Sequence, residues 1–219
     1  MTTKVKVDTE ALIATLGSEL KPLRPLRPPL WRALSWLLLI GTPVAIAIWR
    51  YADMAGFATR TAESRVMLEC VGALLTGLVA VLAAFNLSLP DRSARWRYAP
   101  LPPLMLWLAA SGLGCLHNGL GLGPAGDRLG ESSGCFKFIV MVSVPLTLLL
   151  FVALRRARPL APLPVALCGA LGVAALAAFV LQFFHPFDIT DIDLVMHALA
   201  VVLVIGAAAL FRRGALASR

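Results

Sequence analysis

The chain has 219 residues, is 59% hydrophobic, and has a mean hydropathy of +0.82. A soluble domain is nearer half apolar, so these values exclude a water-soluble globule with a single core. They point to a polytopic helical membrane protein. The formal net charge of +8 could suggest a nucleic-acid binder, but its distribution along the chain fits membrane orientation better, and no direct nucleic-acid binding is expected.

Residues 1–32 read as a polar, basic tail. The opening MTTKVKVDTE lacks the apolar run that a secretory signal needs after its lysines. Asp8 to Leu20 is predicted as a short amphipathic helix. Leu12, Leu16 and Leu20 recur every fourth residue with Ile13 beside them, giving one apolar face. Asp8 or Thr9 is expected to cap its start. Pro22, Pro25, Pro28 and Pro29 then stop the helix and favour an extended linker. A helix of about 13 residues is marginal alone, so it needs a partner. The partner is either a protein bound on the leucine face or the lipid surface met by Lys21, Arg24 and Arg27.

Six apolar segments follow, at about 33–51, 66–89, 99–117, 135–154, 162–184 and 192–211. Each approaches the roughly 20 helical residues that a bilayer core of about 30 Å requires. The expected fold class is all-α: a polytopic six-transmembrane-helix bundle over 33–211, with a cytoplasmic N-terminal tail (1–32) and a short cytoplasmic C-terminal tail (212–219). Pro43 and Pro145 fall inside spans, where neighbouring helices can accommodate them. Gly72, Gly77, Gly169 and Gly172 mark narrow surfaces for close helix packing.

The connections alternate in charge. Fifteen of the 20 lysines and arginines lie in the tail, around Arg92 to Arg97, around Arg155 to Arg158, and at the C-terminus. The other side holds five, with eight of the 12 acids, Glu69 among them. Basic residues stay on the cytoplasmic side. Both termini are therefore expected in the cytoplasm.

That topology puts Cys115, His117 and Cys135 at the outer face, around a glycine-rich polar stretch between Gly112 and Phe138. Cys115 ends the third span and Cys135 opens the fourth. Three readings stay open. A disulfide needs Cα atoms within about 7 Å and would staple the stretch by about 3 kcal/mol in the chain-entropy model. A redox-reactive thiol pair would sense oxidant. A metal site would add His117 and His185, since thiolate with imidazole selects soft or borderline ions such as zinc or cadmium. No resident cofactor is required; such an ion would bind transiently. Asp188, Thr190, Asp191 and Asp193 are read as caps and dipole partners of the last helix. Cys70 and Cys168 are read as small buried hydrophobes. No C-x-x-C, H-E-x-x-H, G-x-S-x-G or phosphate-binding glycine loop is present, so an enzyme is not expected.

Several stretches together resemble a family of six-span bacterial anti-sigma factors, the NrsF-like negative regulators of extracytoplasmic-function sigma factors. They are LRPP (Leu26 to Pro29), AAFNLSLPDRS after the second span, LGCL at Cys115, GCFKFIVMVSVPL at Cys135, LRRARPL before the fifth span, and FFHPFD at His185. The resemblance implies a tail that helps sequester a sigma factor at the membrane. It also implies a pair of outer cysteines, here Cys115 and Cys135, that release the factor under oxidative or heavy-metal stress. Leu12, Ile13, Leu16 and Leu20 are then the expected sigma-factor contact. The rival readings are a quinone-linked membrane thiol oxidoreductase and a small transporter. The missing C-x-x-C counts against the first, and the lack of mid-span charge against the second.

Overall fold

A computed structural model describes residues 9–19, 25–117, 125–184 and 191–216. Its helices are α1 (Thr9–Glu19), α2 (Pro29–Tyr51), α3 (Met54–Thr61), α4 (Ser64–Leu87), α5 (Leu101–His117), α6 (Ala125–Arg155), α7 (Pro162–Leu181) and α8 (Asp191–Leu216). A 3-10 turn, Ala94–Tyr98, joins α4 to α5. Among the described residues there is no strand, as the all-α reading expects.

Local sequence explains the boundaries. Pro28 and Pro29 forbid helix before α2, and Pro29 supplies its first turn. Asp53 accepts from the Gly56 amide at 2.9 Å and starts α3. The connection between the first two apolar segments therefore holds a helix that hydropathy alone does not reveal. Ser93 likewise accepts from the Arg95 amide and starts the 3-10 turn. After α6 the chain reverses through Arg158, whose φ of 47° is the left-handed value usual at helix ends.

Four helices are long and apolar enough to cross a membrane: α2, α4, the Phe136–Arg155 part of α6, and α7. A shorter apolar run, Ala198–Leu210, lies in α8. α5 has 17 residues, about 26 Å of helix, slightly under the roughly 30 Å hydrocarbon core. The architecture is that of a helical membrane protein, and the six-span count goes beyond these four helices and the shorter run. α2 makes the point physically. Leu38, Leu39 and Ile46 are exposed along it, with Trp31 near one end and Trp49 and Tyr51 at the other. Water would not tolerate such a face. A bilayer suits it, because Trp and Tyr prefer the two interfaces. Trp31 and Trp49 are about 27 Å apart by helical rise.

α4 and α7 form the central pair. α5 packs on α4, α6 and α8 pack on α7 and on each other, and α2 lies at the edge against α4 and α6. Glycine lets the central helices touch. A Cβ built on Gly172 would lie 2.9 Å from the Val81 amide nitrogen and 3.1 Å from the Gly77 carbonyl oxygen. One built on Gly72 would lie 2.8 Å from Trp107 Cα in α5. Both pairs of backbones approach too closely for a side chain, as the narrow-surface reading of these glycines expects.

Two apolar clusters mark the two ends of the bundle. One gathers Trp36, Phe85, Leu154, Val165 and Ala208, with Trp96 against it. The other gathers Ile139, Ala178, Leu181 and Ala200, with Trp107 and Phe138 against it. The first lies where the tail enters, so the loops around Arg92 to Arg97 and Arg155 to Arg158 emerge at the tail end.

Candidate functional site

The tail enters the bundle through Arg32, counted above only as one more basic residue. In the structure its guanidinium is a junction. Nη2 donates to the Ala153 carbonyl of α6 at 3.1 Å, and Nη1 donates to Ser88 Oγ beyond α4 at 3.3 Å. The guanidinium carbon lies 5.2 Å from the centre of the Phe85 ring, within cation–π range. Ser88 is held in place by donating to the Phe85 carbonyl at 2.7 Å. Ala153 is among the last four residues of α6, whose carbonyls lack helical partners and carry the negative end of the dipole. One planar, five-donor group thus ties α2 to the ends of two other helices.

Beyond Arg32 the edge helix stands off. A crevice of about 220 Å³ separates α2 from α4, α6 and α7, lined by Ile40, Gly41, Val44, Leu78, Leu146 and Leu176 among others. Its lining is apolar and offers nothing for chemistry. It leaves α2 held chiefly at its tail end.

The opposite end is closed by α3. Arg60 Nη2 donates to the Gln182 carbonyl at the C-terminus of α7, at 2.8 Å. Phe57 stacks on Phe183 with ring centres 4.3 Å apart, and Phe179 meets Phe183 edge-on. Phe138 of α6 contacts Phe184 at 6.1 Å. A cation at a helix C-terminus and an aromatic cluster are each ordinary sources of stability. Here they join α3, α6 and α7 beside two positions of interest. Phe138 is three residues past Cys135, and Phe184 immediately precedes His185.

The third polar feature is Glu69, the only charged residue among the buried side chains described. Ser111 of α5 donates to its Oε1 at 3.0 Å. Its Oε2 is sealed from solvent and has no hydrogen-bond partner. The charge tally counted Glu69 with the acids of the outer side. The structure instead buries it between α4 and α5. The available signal was a lone carboxylate inside an apolar run.

The sequence-predicted sites fall as follows. Cys115 is in the last turn of α5, as expected. Cys135 immediately precedes the apolar Phe136–Arg155 part of α6, as expected of the fourth span, although the helix itself begins ten residues earlier at Ala125. The glycine-rich stretch is correspondingly shorter than read, since α5 runs to His117 and α6 takes up Ala125 onward. The side chains of Cys115, His117 and Cys135 lie outside the described residues, as do His185, Leu20, Asp8, Asp188 and Thr190 altogether. Among the described residues, no group of three His, Cys, Asp or Glu is placed to hold a metal ion. Cys70 and Cys168 are buried and free, as read. In α1, Leu12, Ile13 and Leu16 are all exposed.

A family model described as NrsF, negative regulator of sigma F, matches residues 16–217. No curated protein and no solved structure matches the chain.

Proposed function

Since the chain belongs to the NrsF family of negative regulators of sigma F, we propose that it is a membrane-bound anti-sigma factor for a sigma factor of the extracytoplasmic-function class. It holds that factor at the cytoplasmic face of a bacterial inner membrane. On this reading all six long helices cross the bilayer, both termini are cytoplasmic, and the basic loops share the tail's side.

The observation that carries the binding role is α1. Its Leu12, Ile13 and Leu16 are between 46% and 58% exposed, and it belongs to neither apolar cluster of the bundle. A helix of 11 residues gains little from itself. It is stabilised when its apolar face enters a groove on a partner. Leu20 would extend that face.

Release is assigned to the outer cysteines. Oxidant or a heavy-metal ion at Cys115 and Cys135 alters how α5 packs on α4 and how α6 packs on α7 and α8. α6 is a single helix from Ala125 to Arg155. From Cys135 to Ala153 it spans about 27 Å. A shift at one end is therefore delivered to Arg32 at the other, and from there to the root of the tail. A ligand moves such a balance only by its differential affinity for the two states. Reversing a 1:99 population takes about 5.5 kcal/mol, within reach of thiolate–metal coordination or a disulfide. The apolar crevice and the absence of a proton-relay chain among the described residues favour this reading over a transporter.

The test is Leu12→Glu with Leu16→Glu in the full-length protein. An unpaired charge on a buried apolar contact costs several kcal/mol. The double variant is expected to insert normally, to lose co-purification of the sigma factor, and to derepress its regulon. Continued repression at normal membrane abundance would exclude the α1 face as the contact.

A further inference from the structure

Arg27 is the last basic residue before α2. It is exposed, and among the described residues no hydrogen bond or ion pair engages its guanidinium. With Trp31, Leu34, Ser35 and Leu38 it lines a cleft of about 440 Å³ on the outside of α2. The four helical residues follow the i, i+3, i+4, i+7 spacing of a single helix face, and all four are exposed. Arg32, next to Trp31 in sequence, turns the other way and is bonded into the bundle.

Depth sorts the groups of the cleft. Trp31 suits the membrane interface. Arg27 precedes the helix and lies on the headgroup side of that level. Leu38 lies about 10 Å further along the axis, within the hydrocarbon. Ser35 has no proton to offer, because its hydroxyl donates to the Arg32 carbonyl at 2.9 Å. That leaves the Arg27 guanidinium and the Trp31 indole N–H as donors to an anion, and the two leucines as a wall for an apolar chain. We propose that this cleft holds one anionic phospholipid, its phosphate on Arg27 and Trp31 and one acyl chain along Leu34 and Leu38. Charge selects the headgroup. The first turn of α2 has no acidic residue, so nothing there offsets Arg27, and a lipid of net negative charge is preferred to a zwitterionic one. A second copy of the chain fits this face less well. Two such faces meeting in one membrane would set two Arg27 side chains at the same level. The site depends on α2 lying in a bilayer and not on what α1 binds. A lipid held there fastens the root of the tail from outside, as Arg32 fastens it from within.

The measurement is native mass spectrometry of the full-length protein in detergent, titrated with palmitoyl-oleoyl phosphatidylglycerol or with phosphatidylcholine of the same chains. Wild type is expected to bind the first phosphatidylglycerol about fivefold more tightly than phosphatidylcholine, the worth of one arginine beside an anionic headgroup. Arg27→Gln is expected to abolish that preference, and Arg27→Lys to keep most of it. Arg95→Gln removes an exposed arginine at the same end of the bundle but outside the cleft, and should leave the preference intact. Ser35→Phe fills the cleft from an exposed position and should weaken uptake of both lipids. An equal loss of preference in R27Q and R95Q would mean attraction to the basic surface as a whole and overturn the site. Unchanged uptake in S35F, or no preference in wild type, would overturn it as well. A dimer that S35F dissociates, formed without bound lipid, would give the face to a second copy and overturn the proposal.

Discussion

Arg32 and Ala153 are 121 residues apart in sequence, and an arginine N–H of one donates to the carbonyl of the other at 3.1 Å. The tail is therefore joined to the far end of the helix that carries Cys135. Replacing Arg32 by Gln removes two charge-assisted bonds and the Phe85 ring contact. Part-buried bonds to a charged group are worth about 1.5–3 kcal/mol each. The R32Q protein is expected to reach the membrane in normal amount but to hold its tail loosely. In a background otherwise free of cysteine, a cysteine placed at Leu30 should label faster with a maleimide, and repression should fall. Arg32→Lys, which has no planar fork, should lie between. Unchanged labelling and repression in R32Q would refute the junction.

Gly172 and Gly77 allow α4 and α7 to touch. Gly172→Val would drive a branched side chain into Val81 and the Gly77 carbonyl. Overpacking of this kind costs about 1–3 kcal/mol, and here it acts on the central helix pair. The variant is expected to lose thermal stability in detergent and to accumulate poorly. Gly206→Ala is the control, since a Cβ there meets nothing within 4 Å, and it should be neutral or slightly stabilising. Equal thermal stability of the two variants would count against this packing.

The cysteines separate a staple from a sensor. If Cys115 and Cys135 only brace the structure, replacing both with Ser should lower protein level and switch the response on without stress. If they react, serine abolishes soft-metal ligation and disulfide formation. The double variant should then be abundant and stay repressing under cadmium or dichromate, which is the expected outcome. Cys70→Ser and Cys168→Ser, both at buried positions, should respond as wild type. Normal induction in the double variant would remove the cysteines from the mechanism.

Reporter fusions check orientation. Fusions at Ala94 and Ala157 should report the cytoplasm, and fusions at Gly56 and Gly126 the outside. An external signal at Ala94 would place the tail where no sigma factor can be.

Helix content, the narrow glycine surfaces and the family were legible in the sequence. Each depends on local composition or on motifs read in order: apolar runs near 20 residues, prolines before α2, and LRPP through FFHPFD. α3 was not legible, because eight mixed residues become a helix only with the Asp53 cap and the docking of Phe57 and Arg60 on α7. Nor was the start of α6 at Ala125, where hydropathy falls before the helix does. Arg32, Arg60 and Glu69 were counted as charges on one side or the other. Their partners, Ala153, Gln182 and Ser111, lie 121, 122 and 42 residues away. Hydropathy and charge are summed along the chain and determine which segments leave water. Which carbonyl an arginine meets, and which carboxylate is left with a bare oxygen, depends on how the helices are rotated against one another. Only tertiary packing decides that.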